Sequence, residues 1–282
     1  MLNQPGETPP DYLIIGHITR DLLEDGSRLG GTAVYGSLLA QRLGLKVALF
    51  TSCDKELSLD SLSGVKIYNQ GSNNSTTFNN QYSSKGRQQL LLNRAPDLDL
   101  NQLPPAWRKA RIVHLAPVAG ELSHNSGNYF PDSAVYYSLQ GWLRDWDQDG
   151  LINPVSFPVL ETGPTPPAGA FLSLEDLGTD RGQLDKLRNV FPVLVLTLGK
   201  EGAELYINQS MTKIHPRSST EIDPTGAGDI FAAAFIIEKE IRGKPAYNSA
   251  CYASAMAAIS VTRHGIQGIA TLEEIQELQR VH

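Results

Sequence analysis

Apolar residues in this chain arrive in short buried runs separated by helical stretches. Tyr12 to Ile15 is a continuous apolar run closed by Gly16, the pattern of a strand covered on both faces. His17 to Leu29 then alternates, with Asp25-Gly26 as a turn signal, and reads as a small hairpin that leaves the main sheet. Gly30-Gly31 opens a helix from Thr32 to Leu43, because Val34, Leu38, Leu39 and Leu43 recur near helical spacing and Gly44 supplies the stop. Lys46 to Thr51 is the next strand. Strand, excursion, helix and strand in that order begin an α/β layered fold.

Between Gly64 and Arg94 the texture changes to Asn, Ser, Thr and Gln interleaved with Ile67, Tyr68, Phe78, Tyr82 and Leu90 to Leu92. Such alternation predicts an antiparallel sheet with one face in water. With the earlier hairpin, insertions at about 19–29 and 64–94 are expected to form a lid on a single domain spanning 1–282. Ile112 to Leu115, Ala134 to Leu139, Ala170 to Leu174 and Val193 to Thr197 are further buried strands, and a helix from about Thr179 to Val190 joins the last two. Asn153 to Ala168 carries five prolines and reads as a surface loop. Gly202 to Ile207 and Met211 to His215 form a hairpin. Asp229 to Ile241 and Tyr247 to Thr262 are Ala-rich helices, and the last helix starts at Thr271, where Glu274 completes a capping box.

Composition narrows the partners. At 282 residues, 41% apolar and 19% charged, the chain can bury a sizeable core. A net charge of −6 argues against nucleic acid or an anionic membrane, both of which need clustered Lys and Arg. Cys53 and Cys251 have no Cys or His at metal-ligand spacing, so reduced thiols are expected. Met1 to Gly6 lacks a charged-then-apolar secretory pattern, and the apolar run Ile230 to Ile237 is far too short to span a bilayer. A cytoplasmic protein is the expectation.

The stretch with the most chemistry is Asp223-Pro224-Thr225-Gly226-Ala227-Gly228-Asp229, running straight into an apolar helix. Gly226 and Gly228 allow close backbone approach, and the first N–H groups of a helix have no intrahelical partner, so an anion is the natural occupant. Asp229 at that helix start is either an N-cap or a proton acceptor for a hydroxyl presented beside a phosphate. Taken alone, a turn followed by a capped helix explains the stretch equally well. Gly226-Ala227-Gly228 lacks the third glycine of a dinucleotide fingerprint, and no Gly-Lys-Ser/Thr follows as a Walker loop requires.

Asp-Pro-Thr-Gly-Ala-Gly-Asp followed by Ile-Phe and a small-residue helix resembles the C-terminal signature of the ribokinase (PfkB) family of sugar kinases. That resemblance implies a three-layer α/β fold, mostly parallel, with a small β lid. It also implies ATP and Mg²⁺ as co-substrate and metal, Asp229 as catalytic base, and Gly226, Ala227 and Gly228 as an anion hole. Gly16-x-x-x-x-Asp21 and Gly30-Gly31 match the positions that meet the acceptor's hydroxyls. The family's frequent Asn four residues after the second glycine is Tyr35 here, a departure that makes the pocket floor unlike that of a ribose kinase.

Further positions follow from the same resemblance. Gln140-Gly141-Trp142-Leu143-Arg144 is similar to a Gln-Gly-x-x-Arg version in the inositol-kinase-like branch, with Gln140 near the acceptor and Arg144 near the phosphates, although a surface arginine capping the sheet fits as well. Ser173 and Asp176 stand where the family has Asn-x-x-Glu organising magnesium through water, and Asp176 or Glu175 would equally serve as first-turn acids. Thr197, Gly199 and Gly202 resemble the nucleotide-side turn, and Thr225 lies in the phosphate loop. Ala250 to Ala258 is either an adenine slot or close-packed core. Asp223 and the carbonyls near Thr225 resemble a potassium-binding loop of part of the family, and the lid face of some members forms a homodimer.

The chain is thus read as an ATP-dependent kinase of a small sugar or cyclitol, leaning toward myo-inositol. A nucleoside kinase, or a polyol-sensing protein without catalysis, are the alternatives. A dinucleotide oxidoreductase is set aside because Gly16-His17-Ile18-Thr19 supplies no Gly-x-Gly-x-x-Gly.

Overall fold

In the computed structural model, residues 8–83, 86–160, 163, 165–178 and 181–281 are described. The readings of Met1 to Gly6 and of a helix start at Thr179 lie outside them. In chain order the strands are β1 (Tyr12–Ile15), β2 (Thr19–Leu23), β3 (Gly26–Gly30), β4 (Val47–Thr51), β5 (Lys66–Asn69), β6 (Thr76–Ser83), β7 (Gly86–Asn93) and β8 (Ile112–Leu115). They continue as β9 (Ala134–Ser138), β10 (Arg144–Trp146), β11 (Ile152–Pro154), β12 (Gly169–Ser173), β13 (Val193–Thr197), β14 (Ala203–Ile207) and β15 (Ser210–Ile214). The α-helices are α1 (Thr32–Arg42), α2 (Leu174–Leu177), α3 (Arg181–Val190), α4 (Ala227–Glu240), α5 (Ala246–Ser260) and α6 (Leu272–Val281).

A nine-stranded sheet runs in the order β15-β14-β13-β12-β9-β8-β1-β4-β5. All its pairs are parallel except β13–β14 and β14–β15. The period of two along each strand divides the core. Tyr12 and Ile14 of β1, with Val47 and Leu49 of β4, join one cluster, while Leu13, Ile15, Ala48 and Phe50 join the other. Helices α1, α4, α5 and α6 cover the first face through Leu39, Phe235, Met256 and Ile275. The second face is covered by Leu184 and Leu187 of α3 together with Trp107 and Trp142. This is the expected three-layer α/β arrangement, with both faces of a parallel sheet buried. Phe235 is fully buried against Phe171 at 5.4 Å between ring centroids, so truncating it to Ala would cost about 3–5 kcal/mol.

A second sheet of four strands, β3-β2-β6-β7, stands apart from the first. It corrects two expectations. Lys66–Asn69 pairs in parallel with β4 at the edge of the main sheet, so within 64–94 only the strands from Thr76 to Asn93 enter the small sheet. The small sheet is also mixed, because β2 and β6 run parallel, with Asp21 opposite Phe78. Sequence alternation reports burial on one face and carries no information on strand direction.

The proline-rich stretch departs from a pure loop as well. Ile152–Pro154 pairs with Arg144–Trp146 as a short antiparallel ribbon. The ribbon carries Arg144, and Leu151 beside it bridges to Leu90 of the small sheet. Among the described residues no helix is long and apolar enough to cross a membrane.

Parallel strands point their carboxyl ends the same way, and in open α/β sheets that edge is where ligands bind. Gly16, Gln140, Ser173 and Thr197 all stand at or just beyond such ends.

Candidate active site

Helix α4 starts earlier than its sequence suggests. Gly226 is its N-cap, with φ 81° and ψ −3°, and Ala227 is its first residue. A left-handed residue turns the chain sharply into the helix, a conformation glycine adopts without strain. The Ala227 N–H donates back to the Pro224 carbonyl at 3.2 Å. The first-turn donors that remain without an intrahelical acceptor are thus those of Gly228 and Asp229. A Cβ built on Gly228 would meet nothing within 4 Å, so its face is open to a ligand, whereas one on Gly226 would lie 2.6 Å from the Tyr35 ring. Tyr35 is therefore packed behind the turn, fully buried, with its hydroxyl unpartnered.

Asp229 is half-buried, and its Oδ1 accepts a hydrogen bond from the Thr32 hydroxyl at 2.5 Å. Its carboxyl is pushed up to about 6 by burial, against the lowering effect of Thr32. The carboxylates of Asp21 and Asp176 push in the same direction as burial, and the Arg144 guanidinium pulls it down. Four of the residues singled out in the sequence thus share one electrostatic neighbourhood. A carboxylate with this affinity is ionised at neutral pH yet can take up a proton, as a general base must.

Asp21 is buried on β2 and accepts from the Thr19 hydroxyl at 3.1 Å. Gly30 faces it from β3, where a Cβ would lie 2.6 Å from Asp21 Oδ2 and 2.7 Å from Thr19 Oγ1. The first glycine of the pair is therefore required by the carboxylate beside it. Gly31 is the N-cap of α1, with φ 82°. Helices α1 and α4 both start at this point, which is why Thr32 reaches Asp229. Gln140 is half-buried after β9, and Gly141 packs on the Pro117 backbone, where a Cβ would come within 2.4 Å.

Arg144 meets Asp176 at 3.3 Å, both side chains being nearly buried. Asp176 has a structural task too. Its Oδ2 accepts from the Ser173 backbone N–H at 3.0 Å and from the Ser173 hydroxyl at 2.7 Å, while the Asp176 N–H donates to Ser173 Oγ at 3.1 Å. The pair is a capping box on α2. No group of three or more His, Cys, Asp or Glu side chains arranged for a metal occurs among the described residues. The Ser173 hydroxyl and the Asp176 carboxylate are oxygen donors of the kind magnesium takes, an ion commonly held by one or two carboxylates with waters and substrate phosphates. Beside Arg144 and Asp176 lies a cavity of about 320 Å³, walled by Gln88 and Gln89 of β7 and by Asn153 and Pro154 of β11.

Thr197 closes β13, and its hydroxyl donates to the Leu172 carbonyl at 3.4 Å. Gly199 and Gly202 follow with φ 58° and 93°. A second cavity, of about 450 Å³, opens at the carboxyl end of α5, lined by Arg217, Ser219, Ala258, Thr262 and Glu277 among others. Most of the Ala run is core, since Ala250, Ala253 and Ala255 are buried, and Ala258 alone of its alanines lines this space.

His17 is fully buried. Its Nδ1 lies 2.7 Å from the Thr76 hydroxyl and its Nε2 3.0 Å from the Pro96 carbonyl, and burial lowers its pKa. It pins the small sheet to the main one.

Two residues with direct roles in this geometry are not marked as such by the sequence. In sequence Thr32 marks only a helix start. In sequence Arg28 is a hairpin residue, yet its guanidinium reaches Asp223 and Thr225 in the turn before α4. Arg28 stands two residues before Gly30, which puts both on one face of β3.

Comparison with known proteins agrees with this fold. Residues 174–272 match the pfkB family carbohydrate kinase pattern. Inositol 3-kinase of Zea mays is 26% identical over 132 residues, which are 47% of this chain and 34% of that protein. A nucleoside kinase of Methanothermobacter thermautotrophicus is 38% identical over 82 residues, 29% of this chain and 26% of that protein. The chain therefore aligns with about a third or less of the length of these curated relatives. A solved pyrophosphate-dependent kinase in the ribokinase family, complexed with a pyrophosphate analogue and myo-inositol, superposes with a TM-score of 0.77 at 19% identity, covering 94% of this chain and 99% of that one. The fold is that of the ribokinases.

Proposed function

We propose that this protein is a kinase that transfers a phosphoryl group from ATP to a hydroxyl of a small sugar or cyclitol, with myo-inositol as the leading acceptor. The observation that carries the reading is Asp229, a carboxylate raised to about 6, beside the open face of Gly228 at the start of α4. Asp21 receives hydroxyl hydrogens of the acceptor, a task suited to a carboxylate with two oxygens. Asp229 takes the proton of the attacking hydroxyl. The oxygen–phosphorus bond forms as the bond from the γ-phosphorus to the bridging oxygen breaks, and ADP leaves.

The N–H groups of Gly228 and Asp229 receive charge on the phosphoryl oxygens, and Arg144 stands near enough to Asp229 to share that load. Asp176 would hold magnesium through water, and the ion would neutralise charge on the phosphates of the donor. Thr197 to Gly202 and the larger cavity near Ala258 take the nucleotide. Free Cys53 and Cys251 suit a reducing, ATP-rich cytoplasm.

Inositol as acceptor is supported by Gln140-Gly141 with Arg144 and by the similarity to inositol 3-kinase, whereas Tyr35, which the sequence puts at the pocket floor, is buried behind the Gly226 turn. The similarity to a nucleoside kinase favours a second reading in which a ribonucleoside is the acceptor. The deciding experiment incubates the purified chain with sugars, cyclitols and nucleosides, with either ATP or pyrophosphate as donor, and detects phosphorylated product by mass spectrometry. Phosphorylated inositol from ATP is the expected result. Product from pyrophosphate alone would reassign the donor, and binding without product would make the chain a polyol-sensing protein.

A further inference from the structure

Arg28 is the cross-strand partner of Asp21 in the small sheet, but its guanidinium leaves that sheet. Its Nη1 donates to Asp223 Oδ2 at 2.5 Å and its Nη2 to the Thr225 hydroxyl at 2.7 Å. Asp223 is already served from two other sides. Its Oδ1 accepts the Thr225 N–H at 3.0 Å, and its Oδ2 also accepts the Gly265 N–H at 3.0 Å. The exposed His264 ring lies a further step away, at 3.7 Å. Both carboxylate oxygens thus face N–H donors, and a fixed positive charge sits against the one carboxylate of the loop that resembles a potassium site. An alkali ion there would have to displace the guanidinium from Asp223 or sit beside it as a like charge. The residues present do not fit a bound potassium ion.

The same contact has a mechanical consequence. Arg28 and Gly30 lie on one face of β3, Gly30 against Asp21 and Arg28 against the turn that leads into Gly226. One strand therefore sets the spacing between the proposed acceptor carboxylate and the phosphate-cradling turn. We infer that Arg28 is a positioning residue that takes the place of a monovalent cation at Asp223, so that phosphoryl transfer proceeds without potassium. The inference rests on the kinase reading of the site.

Two measurements test it. In the first, kinase turnover is compared with potassium chloride and with tetramethylammonium chloride at equal ionic strength. The wild type should be equally active in both, and so should Arg28→Lys, which keeps the charge. Arg28→Ala should lose ~10–10²-fold in kcat, as expected for a displaced catalytic turn, and be stimulated by potassium or guanidinium ions. In the second, which needs no turnover and so stands if the kinase reading fails, thermal unfolding is followed in the same salts. Potassium should leave the wild-type Tm where tetramethylammonium does and raise that of Arg28→Ala. A wild type stimulated or stabilised by potassium, or an Arg28→Ala protein indifferent to both cations, overturns the inference.

Discussion

The Thr32 hydroxyl donates to Asp229 Oδ1 across 2.5 Å, joining the first turns of two helices that are 197 residues apart in sequence. This bond favours the charged carboxylate, whereas burial favours the protonated one, and burial prevails to give about 6. Since the base must be ionised, kcat/KM should fall as pH drops through about 6. Thr32→Val removes the lowering influence, so the acid limb should move to higher pH while the alkaline side stays put. A pH–rate profile of the two proteins checks this, and an unshifted limb would detach the limb from Asp229.

Asp229→Asn should lower kcat by ~10²–10⁴-fold while ATP and acceptor still bind, as measured by calorimetry. The same variant makes a stability prediction of definite sign. The folded-state affinity of Asp229 for protons is raised from 3.8 to about 6, so above about 6 the folded chain bears the full cost of a charged, partly buried carboxylate. That cost fades as pH falls toward 4. Asp229→Asn should accordingly be more stable than wild type at neutral pH, by at most about 3 kcal/mol, and the difference should vanish in acid. Denaturant titrations at two pH values measure it.

Ser173 and Asp176 separate structure from chemistry. Removing the Ser173 hydroxyl breaks the capping box of α2 and should cost about 0.5–2 kcal/mol of stability while leaving the magnesium dependence of turnover unchanged. Asp176→Asn alters the group that also meets Arg144 and faces Asp229, so it should raise the magnesium concentration needed for half-maximal rate. If Ser173→Ala moved the magnesium dependence as far, the hydroxyl would belong to the metal site.

What was legible in the sequence was what burial periodicity and glycine punctuation encode. β1, α1, β4 and the parallel strands β8, β9, β12 and β13 lie where the apolar runs placed them, because a strand buried on both faces cannot hide its composition. The turn at Gly226 to Asp229 was legible because its glycines answer local needs. Strand β5 was not, since Lys66–Asn69 is an edge strand exposed enough to share the polar texture of the small sheet beside it. Thr32 and Arg28 were illegible for another reason. Their partners, Asp229 and Asp223, are 197 and 195 residues away, and no local pattern announces a contact that only tertiary packing creates.

Gly226 and Gly228 look equivalent in sequence, yet they should fail differently when given a side chain. At Gly226 a Cβ would sit 2.6 Å from the buried Tyr35 ring, on a residue held at φ 81°. Both the clash and the left-handed backbone oppose Gly226→Ala, and the ring cannot retreat because it is packed in the core cluster of α1 and α4. A loss of about 1–3 kcal/mol is expected, visible as a lower denaturant midpoint. At Gly228 the helical backbone accepts alanine, and a Cβ meets nothing within 4 Å. Gly228→Ala should therefore fold as well as wild type or slightly better, since alanine is the stronger helix former. Its new methyl group occupies the open approach to the first-turn N–H groups, so turnover should fall sharply and ATP affinity with it. A Gly228→Ala protein with unchanged kinetics would mean that the phosphate does not approach from this face, and the anion hole would have to be sought elsewhere on the sheet edge.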